Sequence, residues 1–262
     1  MIRVGVLGAC GRLGATVCTA VAATSDLELV AAVDPRACGV PVGGLVPAGS
    51  IDALEAVGAE VAVDFTEPAA AVGNLEWCAS HDIHAVCGTT GIDAAGLDRL
   101  RAAFDPSGRP NAIVAANFSL SAVLMMRFAE LAAPFFDGVE VIELHHDQKK
   151  DAPSGTALET ARRIGAVRAL SGASPFGEDA TTTVSCEGAR GGVTADGIHV
   201  HSVRLAGLVA HQEVLFGGPG QSLLIRQGSY DRNSFMPGVL LACRRVASTP
   251  GLTVGLDALL GI

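Results

Sequence analysis

A glycine-rich turn close to the N-terminus constrains the fold of this chain more than any other feature. The short apolar run Ile2–Leu7 leads directly into Gly8-Ala-Cys-Gly-Arg-Leu-Gly14. After the turn, Leu13, Val17 and Val21 place apolar side chains four positions apart, which is the spacing of one helix face. The order of strand, tight turn and helix predicts the first unit of a parallel α/β sheet.

An acidic residue completes this pattern at the end of the next predicted strand, because the apolar run Leu29–Val33 is followed by Asp34. In dinucleotide-binding folds the glycines permit the turn, the helix start faces the pyrophosphate, and an acidic residue about twenty positions later binds a ribose hydroxyl. The spacing here departs from the commoner Gly-x-Gly-x-x-Gly, but the strand–turn–helix context and Asp34 both favour a nicotinamide dinucleotide. Arg36 could contact a 2′-phosphate, so NADH and NADPH both stay open.

Polar residues at the ends of three later strands support the same interpretation. The apolar runs are residues 60–65, 83–87 and 112–116, and they are followed by Thr66, by Gly88-Thr-Thr-Gly91 and by Asn117-Phe-Ser119. Short apolar runs are typical of buried parallel strands. In open α/β sheets the ligand lies outside the carboxyl ends of the strands, so we expect these polar residues near a ligand.

The second half of the chain has a different pattern. Leu120–Phe136 predicts a long apolar helix that leads out of the nucleotide domain. Runs with β-branched or alternating apolar residues then predict strands at 181–186, 198–205, 211–216 and 222–226. The alternation over residues 198–205 predicts one buried and one open sheet face, with His199 and His201 on a surface or an interface. An open sheet face suggests packing against another subunit.

Together these patterns predict an α/β protein with a Rossmann-type doubly wound parallel sheet and a second α+β domain with an open mixed sheet. A helix capped by Ser234 and continuing through Val246 is expected to pack back onto the nucleotide domain. The predicted dinucleotide-binding domain is therefore residues 1–118 with 234–262. Residues 119–233 form the predicted substrate-binding and oligomerisation domain.

A strand, a polar turn and a helix start meet between residues 139 and 165. The turn carries two adjacent histidines and two adjacent lysines and ends in Pro-Ser-Gly-Thr156. Ser154 or Thr156 is placed to cap the helix, and Gly155 lets a ligand approach the backbone. Because the free amides of a helix start attract anions, the segment combines proton donors, positive charge and a place for a carboxylate. This combination suits an enzyme that acts on a small acidic substrate.

Two other interpretations of this segment are a structural turn with an incidental His-His pair, and a metal site. A metal site is disfavoured, because adjacent strand residues such as His145 and His146 point to opposite faces. No third histidine and no cysteine cluster lies near them in the sequence. We therefore expect no metal ion.

Composition excludes several classes of protein. The hydrophobic content of 49% and charged content of 17% predict a well-packed core rather than disorder. A net charge of -9 without a Lys/Arg block argues against a nucleic-acid partner. No apolar run is long enough to span a bilayer, and no signal peptide is evident. The seven cysteines form no Cys-x-x-Cys pair, so we expect reduced thiols and a cytoplasmic location.

The motifs in order resemble those of the 4-hydroxy-tetrahydrodipicolinate (dihydrodipicolinate) reductase family, most closely its actinobacterial members. The motif His-His-x-x-Lys-x-Asp-Ala-Pro-Ser-Gly-Thr is highly specific for that family. The motifs that carry the resemblance span nearly the whole chain, at residues 6–14, 64–66, 87–91, 116–119, 143–156 and 207–217.

The resemblance also implies which residues bind the cofactor, NADH and/or NADPH. The implied pyrophosphate loop is Gly8, Ala9, Cys10, Gly11, Arg12 and Leu13, with Asp34 at the adenosine ribose. The implied nicotinamide site is Gly88, Thr89, Thr90, Ala116, Asn117, Phe118 and Ser119. Cys10 departs from the family pattern and could add thiol sensitivity to the loop.

For the substrate, the resemblance implies that His145 is the proton donor and acceptor and that Lys149 is a proton donor. The implied substrate-binding residues are His146, Ser154, Gly155 and Thr156. The family is typically a homotetramer assembled through the sheets of the second domain. The implied reaction is NAD(P)H-dependent reduction of a small cyclic dicarboxylate in diaminopimelate and lysine biosynthesis.

Two rival functions stay open. Another nicotinamide-dependent enzyme of an amino-acid pathway, such as homoserine or aspartate dehydrogenase, would share the glycine turn but lack the His-His-x-x-Lys motif. A non-catalytic dinucleotide-binding module would bind cofactor without turnover. The complete set of His145, Lys149 and Ser-Gly-Thr argues against both.

Overall fold

A computed structural model of the chain describes residues 1–36, 39–108, 110–177 and 179–261. Its strands are β1 (Ile2–Leu7), β2 (Leu27–Val33), β3 (Val61–Asp64), β4 (His84–Cys87), β5 (Ala112–Val114), β6 (Gly138–His145), β7 (Gly192–Val193), β8 (His199–Arg204), β9 (Ala210–Gly218), β10 (Gln221–Ser229) and β11 (Leu252–Val254). Its α-helices are α1 (Arg12–Ala22), α2 (Ala53–Ala56), α3 (Pro68–Ser80), α4 (Ala94–Ala103), α5 (Leu120–Ala132), α6 (Gly155–Ser171), α7 (Met236–Arg245) and α8 (Asp257–Leu260). Within these described ranges, no helix has both the length and the apolar character needed to cross a membrane.

The chain forms two compact units. The first contains residues 1–119 together with the chain from Arg232 onward, and the second contains Leu120–Asp231. The predicted boundaries, after residue 118 and before residue 234, differ from these by one and two residues. The assignment of cofactor binding to one unit and of substrate binding and assembly to the other stays a prediction.

The first unit contains a parallel sheet in the order β11-β5-β4-β3-β1-β2. All residues of β3, β4 and β5 are buried, as expected for parallel strands that are covered on both faces. The strand order proceeds in opposite directions from β1, which is the topology of a doubly wound sheet. The predicted Rossmann-type fold is therefore confirmed.

The core of this unit is built from aliphatic side chains, a few aromatic rings and buried thiols. Leu75 and Cys78 of α3, Leu100 of α4 and the adjoining Phe104 are completely buried. Burying one side chain of leucine size stabilises the folded state by about 1.5–3 kcal/mol. This packing holds the strands, and therefore the loops at their carboxyl ends, in defined positions.

The last long helix lies in the first unit, as predicted, and contacts α1 and β1. It begins at Met236 with Phe235, rather than Ser234, as the N-cap residue, because residues 232–235 form a 3₁₀ turn. Gly238 in this helix lies against the loop after β5, since a Cβ there would be 2.1 Å from the carbonyl oxygen of Phe118. The helix thus supports a loop that the sequence assigns to the cofactor.

The second unit contains a mixed sheet in the order β10-β9-β6-β8-β7. Strands β6 and β8 are parallel, and the other neighbouring pairs are antiparallel. Helix α5 contacts β10, and α6 contacts β6. Leu215, Leu224 and Val193, which lie on the opposite face, are exposed. This arrangement confirms the predicted open mixed sheet.

The predicted strand at residues 181–186 is wrong. The segment has no strand pairing, and all of its residues are exposed. Threonine and valine favour strands mainly through packing against neighbouring strands. The edge position beside β8 is occupied by the short strand Gly192–Val193, so the threonine-rich segment has no partner strand.

Candidate active site

The glycine turn after β1 lines a cavity in the first unit. Gly8 has a φ of 78°, and a Cβ there would lie 2.6 Å from the carbonyl oxygen of Phe65. A Cβ on Gly14 would lie 2.1 Å from the carbonyl oxygen of Gly8. Glycine is therefore required at one position by backbone conformation and close approach, and at the other by the packing of α1 against the turn.

The cavity has a volume of about 690 Å³ and lies at the carboxyl ends of β1, β2 and β3. Helix α1 begins beside it with Gly11 as the N-cap residue and without a side-chain cap. The first amides of such a helix can bind an anion. Of the other predicted loop residues, Ala9 is buried, Cys10 and Leu13 are half-buried and Arg12 is exposed. The cavity, the glycines and the helix start fit the pyrophosphate of a dinucleotide.

Asp34 is buried beside this cavity and accepts hydrogen bonds at both carboxylate oxygens. Oδ2 accepts from Cys10 N at 3.1 Å and from Arg36 Nη2 at 3.3 Å, and Oδ1 accepts from Arg36 N at 3.0 Å and Nε at 3.2 Å. Burial acts to raise the pKa of Asp34, but these bonds outweigh it and lower the pKa. Because a carboxylate accepts about four hydrogen bonds, a ribose hydroxyl would compete with Arg36. The Arg36 side chain is 71% exposed and is therefore free to move aside.

A second buried carboxylate, Asp64, joins the loops after β3 and β4. Its Oδ1 accepts from Thr66 N at 3.0 Å, Thr66 Oγ1 at 2.8 Å and Thr89 Oγ1 at 2.8 Å. Its Oδ2 accepts from Asn74 Nδ2 at 2.8 Å. The motif Asp64-Phe-Thr66 contributed to the family resemblance, and Thr66 was expected near a ligand as a strand-end residue. Sequence reasoning assigned no role to Asp64, although its position at the end of the same strand was an available signal.

The loop after β4 contains Gly88, Thr89 and Thr90. Thr89 is buried and bonds to Asp64, whereas Thr90 is exposed. A Cβ on Gly88 would lie 2.0 Å from the ring of Phe65, so glycine makes room for that ring. The ring centroids of Phe65 and Phe118 are 5.9 Å apart, which links this loop to the one after β5.

The loop after β5 contains the other residues predicted for the nicotinamide. Ala116 is exposed, and Phe118 and Ser119 are buried. The side-chain oxygen of Asn117 accepts a hydrogen bond from Ser119 N at 2.8 Å. Both loops follow parallel neighbouring strands and therefore lie at the same sheet edge as the cavity.

Cys10 is an exception to the expected reduced thiols, because it is disulfide-bonded. Cys38 lies outside the described residues. Burial raises the pKa of four free thiols to about 12, at Cys18, Cys78, Cys87 and Cys243. Cys186 is a free and exposed thiol.

The second unit builds a separate polar cluster around Glu143, which is completely buried. Its Oε2 lies 2.5 Å from His145 Nδ1 and accepts from Arg204 Nη1 at 2.8 Å. Its Oε1 accepts from Arg204 Nη2 at 2.8 Å and from Ser154 N at 3.2 Å. One carboxylate thereby connects the end of β6, the end of β8 and the start of α6.

The protonation of this cluster follows from its neighbours. Burial acts to raise the pKa of Glu143, but hydrogen bonds from Arg204, Ser202 and His145 outweigh it and lower the pKa. Burial lowers the pKa of His145, and the charges of Lys149 and Arg204 lower it further, although Glu143 acts in the opposite direction. The cluster therefore holds an ionised carboxylate beside an imidazole that gives up its proton readily.

Helix α6 begins beside this cluster. Ser154, rather than Thr156, is its N-cap, and Ser154 Oγ accepts from Ala157 N at 3.2 Å. A Cβ on Gly155 would meet no atom within 4 Å, so the fold leaves the space beside this residue open. The hydroxyl of Thr160 donates to the Thr156 carbonyl, so Thr156 lies within the first turn. A substrate carboxylate can therefore approach the amides of this turn.

The turn before α6 places the other predicted residues differently. His146 is exposed beyond the end of β6. Lys149 Nζ donates to both oxygens of Asp151, at 2.8 and 2.9 Å, so the cation is already paired. Asp151 is 63% exposed, which allows a substrate carboxylate to share or replace this contact. In the described part of the chain, no cluster of three or more His, Cys, Asp or Glu residues could hold a metal ion.

Sequence reasoning assigned no role to Glu143 or Arg204. An acidic residue two and four positions after the apolar Val141 and Val139, on what becomes the buried strand face, was a usable signal for Glu143. Arg204 was not identifiable, because it reaches His145 only through the parallel register of β6 and β8, in which the two residues are partners.

Two family models match nearly the whole chain. The model described as "Dihydrodipicolinate reductase, N-terminus" matches residues 2–118. The model described as "Dihydrodipicolinate reductase, C-terminus" matches residues 121–260. The chain belongs to the dihydrodipicolinate reductase family.

Relatives within the dihydrodipicolinate reductase family cover the full chain. The 4-hydroxy-tetrahydrodipicolinate reductase of Nocardia farcinica is 54% identical over 266 residues, covering 100% of this chain and 99% of the relative. That of Corynebacterium aurimucosum is 51% identical over 261 residues, with the same coverage. The dipicolinate-bound dihydrodipicolinate reductase of Paenisporosarcina sp. TG-14 superposes with a TM-score of 0.84 at 38% identity, covering 98% of this chain and 99% of that one. The predicted family, fold and oxidoreductase class are confirmed.

Proposed function

We propose that this chain catalyses the NAD(P)H-dependent reduction of 4-hydroxy-tetrahydrodipicolinate, or of the dihydrodipicolinate formed by its dehydration, to tetrahydrodipicolinate. The reaction would serve diaminopimelate and lysine biosynthesis. The observation that carries the proposal is the cluster in which buried Glu143 binds His145 beside the open start of α6. Three residues of that cluster, Glu143, His145 and Ser154, lie in the segment 143–156, which carries part of the family resemblance. The names of the full-length relatives support the same reaction.

The proposed reaction requires a hydride, a proton and the loss of water. When bound, the nicotinamide would supply the hydride for ring carbon C4 and would itself be oxidised. The 4-hydroxyl leaves as water, and the negative charge that the hydride brings into the ring is neutralised by one proton. Substrate, reduced cofactor and one proton are thus converted to product, oxidised cofactor and water.

His145 is the residue best suited to provide that proton. Its side chain is 16% exposed, so a substrate can reach it, and its orientation is held by Glu143. A positioned general acid typically contributes about 10²–10⁴-fold to a rate. Lys149 lies in the following turn and adds a second donor and a positive charge near the substrate.

The start of α6 is the proposed site for one substrate carboxylate. Ser154 caps the helix, the first amides follow at Gly155 and Thr156, and the space beside Gly155 is open. The amides of a first helical turn and the positive helix end favour an anion at this position. The relative from Paenisporosarcina binds dipicolinate, a cyclic dicarboxylate, which supports the same class of ligand here. His146 is proposed as a further substrate contact.

The cavity of the first unit is the proposed cofactor site. The turn from Gly8 to Leu13 would hold the pyrophosphate, Asp34 the adenosine ribose, and the loops containing Thr89 and Asn117 the nicotinamide. We propose that both NADH and NADPH are accepted. Asp34 can accept from ribose hydroxyls, and the exposed guanidinium of Arg36 can turn from Asp34 to a 2′-phosphate.

We further propose that the protein is a cytoplasmic homotetramer that assembles through the open face of the second sheet. Leu215, Leu224 and Val193 are exposed on that face, and apolar side chains of this kind favour burial between subunits. The negative net charge supports a small-molecule substrate rather than a nucleic acid. Analytical ultracentrifugation would test the oligomeric state.

The decisive experiment generates the substrate in place from pyruvate, aspartate semialdehyde and the preceding synthase. Absorbance loss of NADH and of NADPH is followed separately, with wild-type protein and with His145→Ala. We expect oxidation that depends on the synthase and falls by at least about 10²-fold in kcat in the variant.

Two outcomes would contradict the proposal. Binding of both cofactors without oxidation of either would favour a dinucleotide-binding module. Cofactor oxidation that does not require the synthase product would favour another amino-acid dehydrogenase. Parallel titrations with homoserine and aspartate in the presence of NAD⁺ distinguish that second case.

A further inference from the structure

The groups that bind Glu143 donate hydrogen bonds to it. Arg204 donates through two nitrogens, Ser154 donates through its amide, and the Ser202 hydroxyl adds a further bond. The bound arginine keeps the carboxylate ionised, and an ionised carboxylate is only an acceptor. The hydrogen in the contact between Glu143 Oε2 and His145 Nδ1 therefore belongs to the histidine.

This assignment determines the tautomer of neutral His145. With the hydrogen on Nδ1, the lone pair lies on Nε2. Nε2 makes no hydrogen bond to any residue that the structure describes, so a substrate can meet it directly. When the imidazole is protonated, the exchangeable proton lies on Nε2.

We infer that Glu143 is a positioning residue for the proposed reductase reaction: it holds His145 in the Nδ1–H tautomer, so that the proton moves to substrate from Nε2, while Arg204 balances the charge of Glu143. The inference rests on the proposed function for the direction of proton transfer. The tautomer itself does not depend on that function.

Arg204 explains how this orientation is compatible with acid catalysis. An unpaired buried carboxylate would strongly favour protonated His145 and make it a weak acid. Arg204, on β8, forms a bidentate pair with Glu143. Lys149, in the turn after β6, lowers the pKa of His145 through its charge, and Asp151 pairs with Lys149. On the other side, β9 places the uncharged Ala210 opposite His145. Glu143 can therefore orient His145 while Arg204 offsets the effect of the Glu143 charge on the pKa of His145.

The tautomer can be measured without substrate. Protein labelled with ¹⁵N-histidine gives long-range ¹H–¹⁵N spectra in which the protonated and unprotonated ring nitrogens are resolved, and His145→Gln assigns the signal. For the wild type above its titration midpoint, we expect Nδ1 protonated and Nε2 free. In Glu143→Gln, the amide group brings a donor that His145 can accept at Nδ1, so the population should move toward Nε2–H.

The catalytic consequence is tested by pH profiles in the synthase-coupled assay. A general acid must be protonated, so the rate falls as pH rises through its pKa. Glu143→Gln leaves the positive charges unopposed and should lower kcat about 10–10²-fold, with the falling limb moved to lower pH. Arg204→Gln leaves Glu143 unpaired and should move that limb to higher pH. The matched control is Glu159→Gln, which removes a carboxylate bound to Arg162 and Arg163 in the same unit. This variant should leave the falling limb of the pH profile where it is in the wild type.

The outcomes separate this inference from the proposed function. Opposite shifts in the two variants, together with the Nδ1–H tautomer, support the inference. Two results overturn the inference even if the wild type is a fully active reductase. One is an Nε2–H tautomer in the wild type, and the other is a lower kcat in both variants without a shift of the falling limb of the pH profile. A wild type without turnover overturns the proposed function, while the spectra still decide the tautomer.

Discussion

Thr89 Oγ1 donates a hydrogen bond to Asp64 Oδ1 at 2.8 Å and so ties the loop after β4 to the end of β3. Thr66 donates to the same oxygen through both its amide and its hydroxyl. The two loops belong to the proposed cofactor site, and the buried carboxylate holds them in register. Its replacement should therefore affect both the stability of the first unit and the affinity for cofactor.

Asp64→Asn is expected to lower the free energy of unfolding by about 1–3 kcal/mol, because an amide cannot accept from all of these donors. The dissociation constant for NADH should rise in parallel. Chemical denaturation and NADH fluorescence titration measure the two effects. Asp98→Asn, at an exposed residue paired with Arg101, is the control and should change neither quantity. An unchanged free energy of unfolding in Asp64→Asn would contradict the stabilising role of the hydrogen bonds that Asp64 accepts.

Arg36→Ala should discriminate between the two cofactors. The exposed guanidinium competes with ribose hydroxyls for Asp34 but can bind a 2′-phosphate. Loss of a charge-assisted contact should weaken NADPH about tenfold, while NADH affinity stays the same or improves. Isothermal titration calorimetry with each cofactor gives the comparison, and Arg101→Ala serves as the control. Equal changes for both cofactors would show that Arg36 does not meet the phosphate.

Gly155→Ala should separate folding from substrate binding. A Cβ at this position meets no protein atom within 4 Å, and alanine is a better helix former than glycine by about 0.8–1 kcal/mol in helix interiors. The melting temperature should therefore stay the same or rise slightly, while KM for the dicarboxylate rises. Gly73→Ala in α3, where a Cβ also meets open space, is the control for the helix effect. A KM equal to that of the wild type would exclude close approach of substrate to this residue.

His145 should titrate below the ordinary histidine value of about 6.5, mainly because burial disfavours its charged form. The unfolded chain then binds this proton at a higher pH than the folded chain does. The contribution of His145 to stability consequently rises with pH between the folded and unfolded pKa values, and folding is penalised below that window. NMR titration gives the midpoint, and His145→Gln should remove this part of the pH dependence of unfolding. A midpoint at or above the ordinary value would contradict the burial effect.

Among the five free cysteines in the described part of the chain, native protein should react rapidly with a thiol reagent only at Cys186. The thiolate is the reactive form, and burial raises the pKa of the other four thiols to about 12. Mass spectrometry after brief labelling with iodoacetamide identifies the modified residue, and Cys186→Ser is the matched control. Rapid modification of Cys78 or Cys87, which lie in the core, would show that the first unit opens readily.

Several features of this protein follow from local sequence alone. The turn from Gly8 to Gly14 requires glycine. A residue without a Cβ readily adopts the positive φ of Gly8 and, at Gly14, allows α1 to approach the turn closely. Short apolar runs with polar ends predicted the parallel strands, because burial on both faces requires apolar residues throughout. The Pro-Ser-Gly-Thr turn predicted the start of α6, since a cap depends on residues that are close in sequence.

Local sequence failed where the outcome depended on distant partners. The threonine-rich segment at residues 181–186 has strand propensity, but the sheet offers it no neighbouring strand.

The sequence by itself determined the two classes of unit, the dinucleotide turn and the presence of His145 in a strand–turn–helix segment. Only the tertiary structure decided what surrounds that histidine. Arg204 lies 59 positions later in the chain and becomes its neighbour through the parallel register of β6 and β8. Because hydrogen bonding and charge act through space at a few ångströms, the protonation chemistry of His145 depends on contacts that no local pattern encodes.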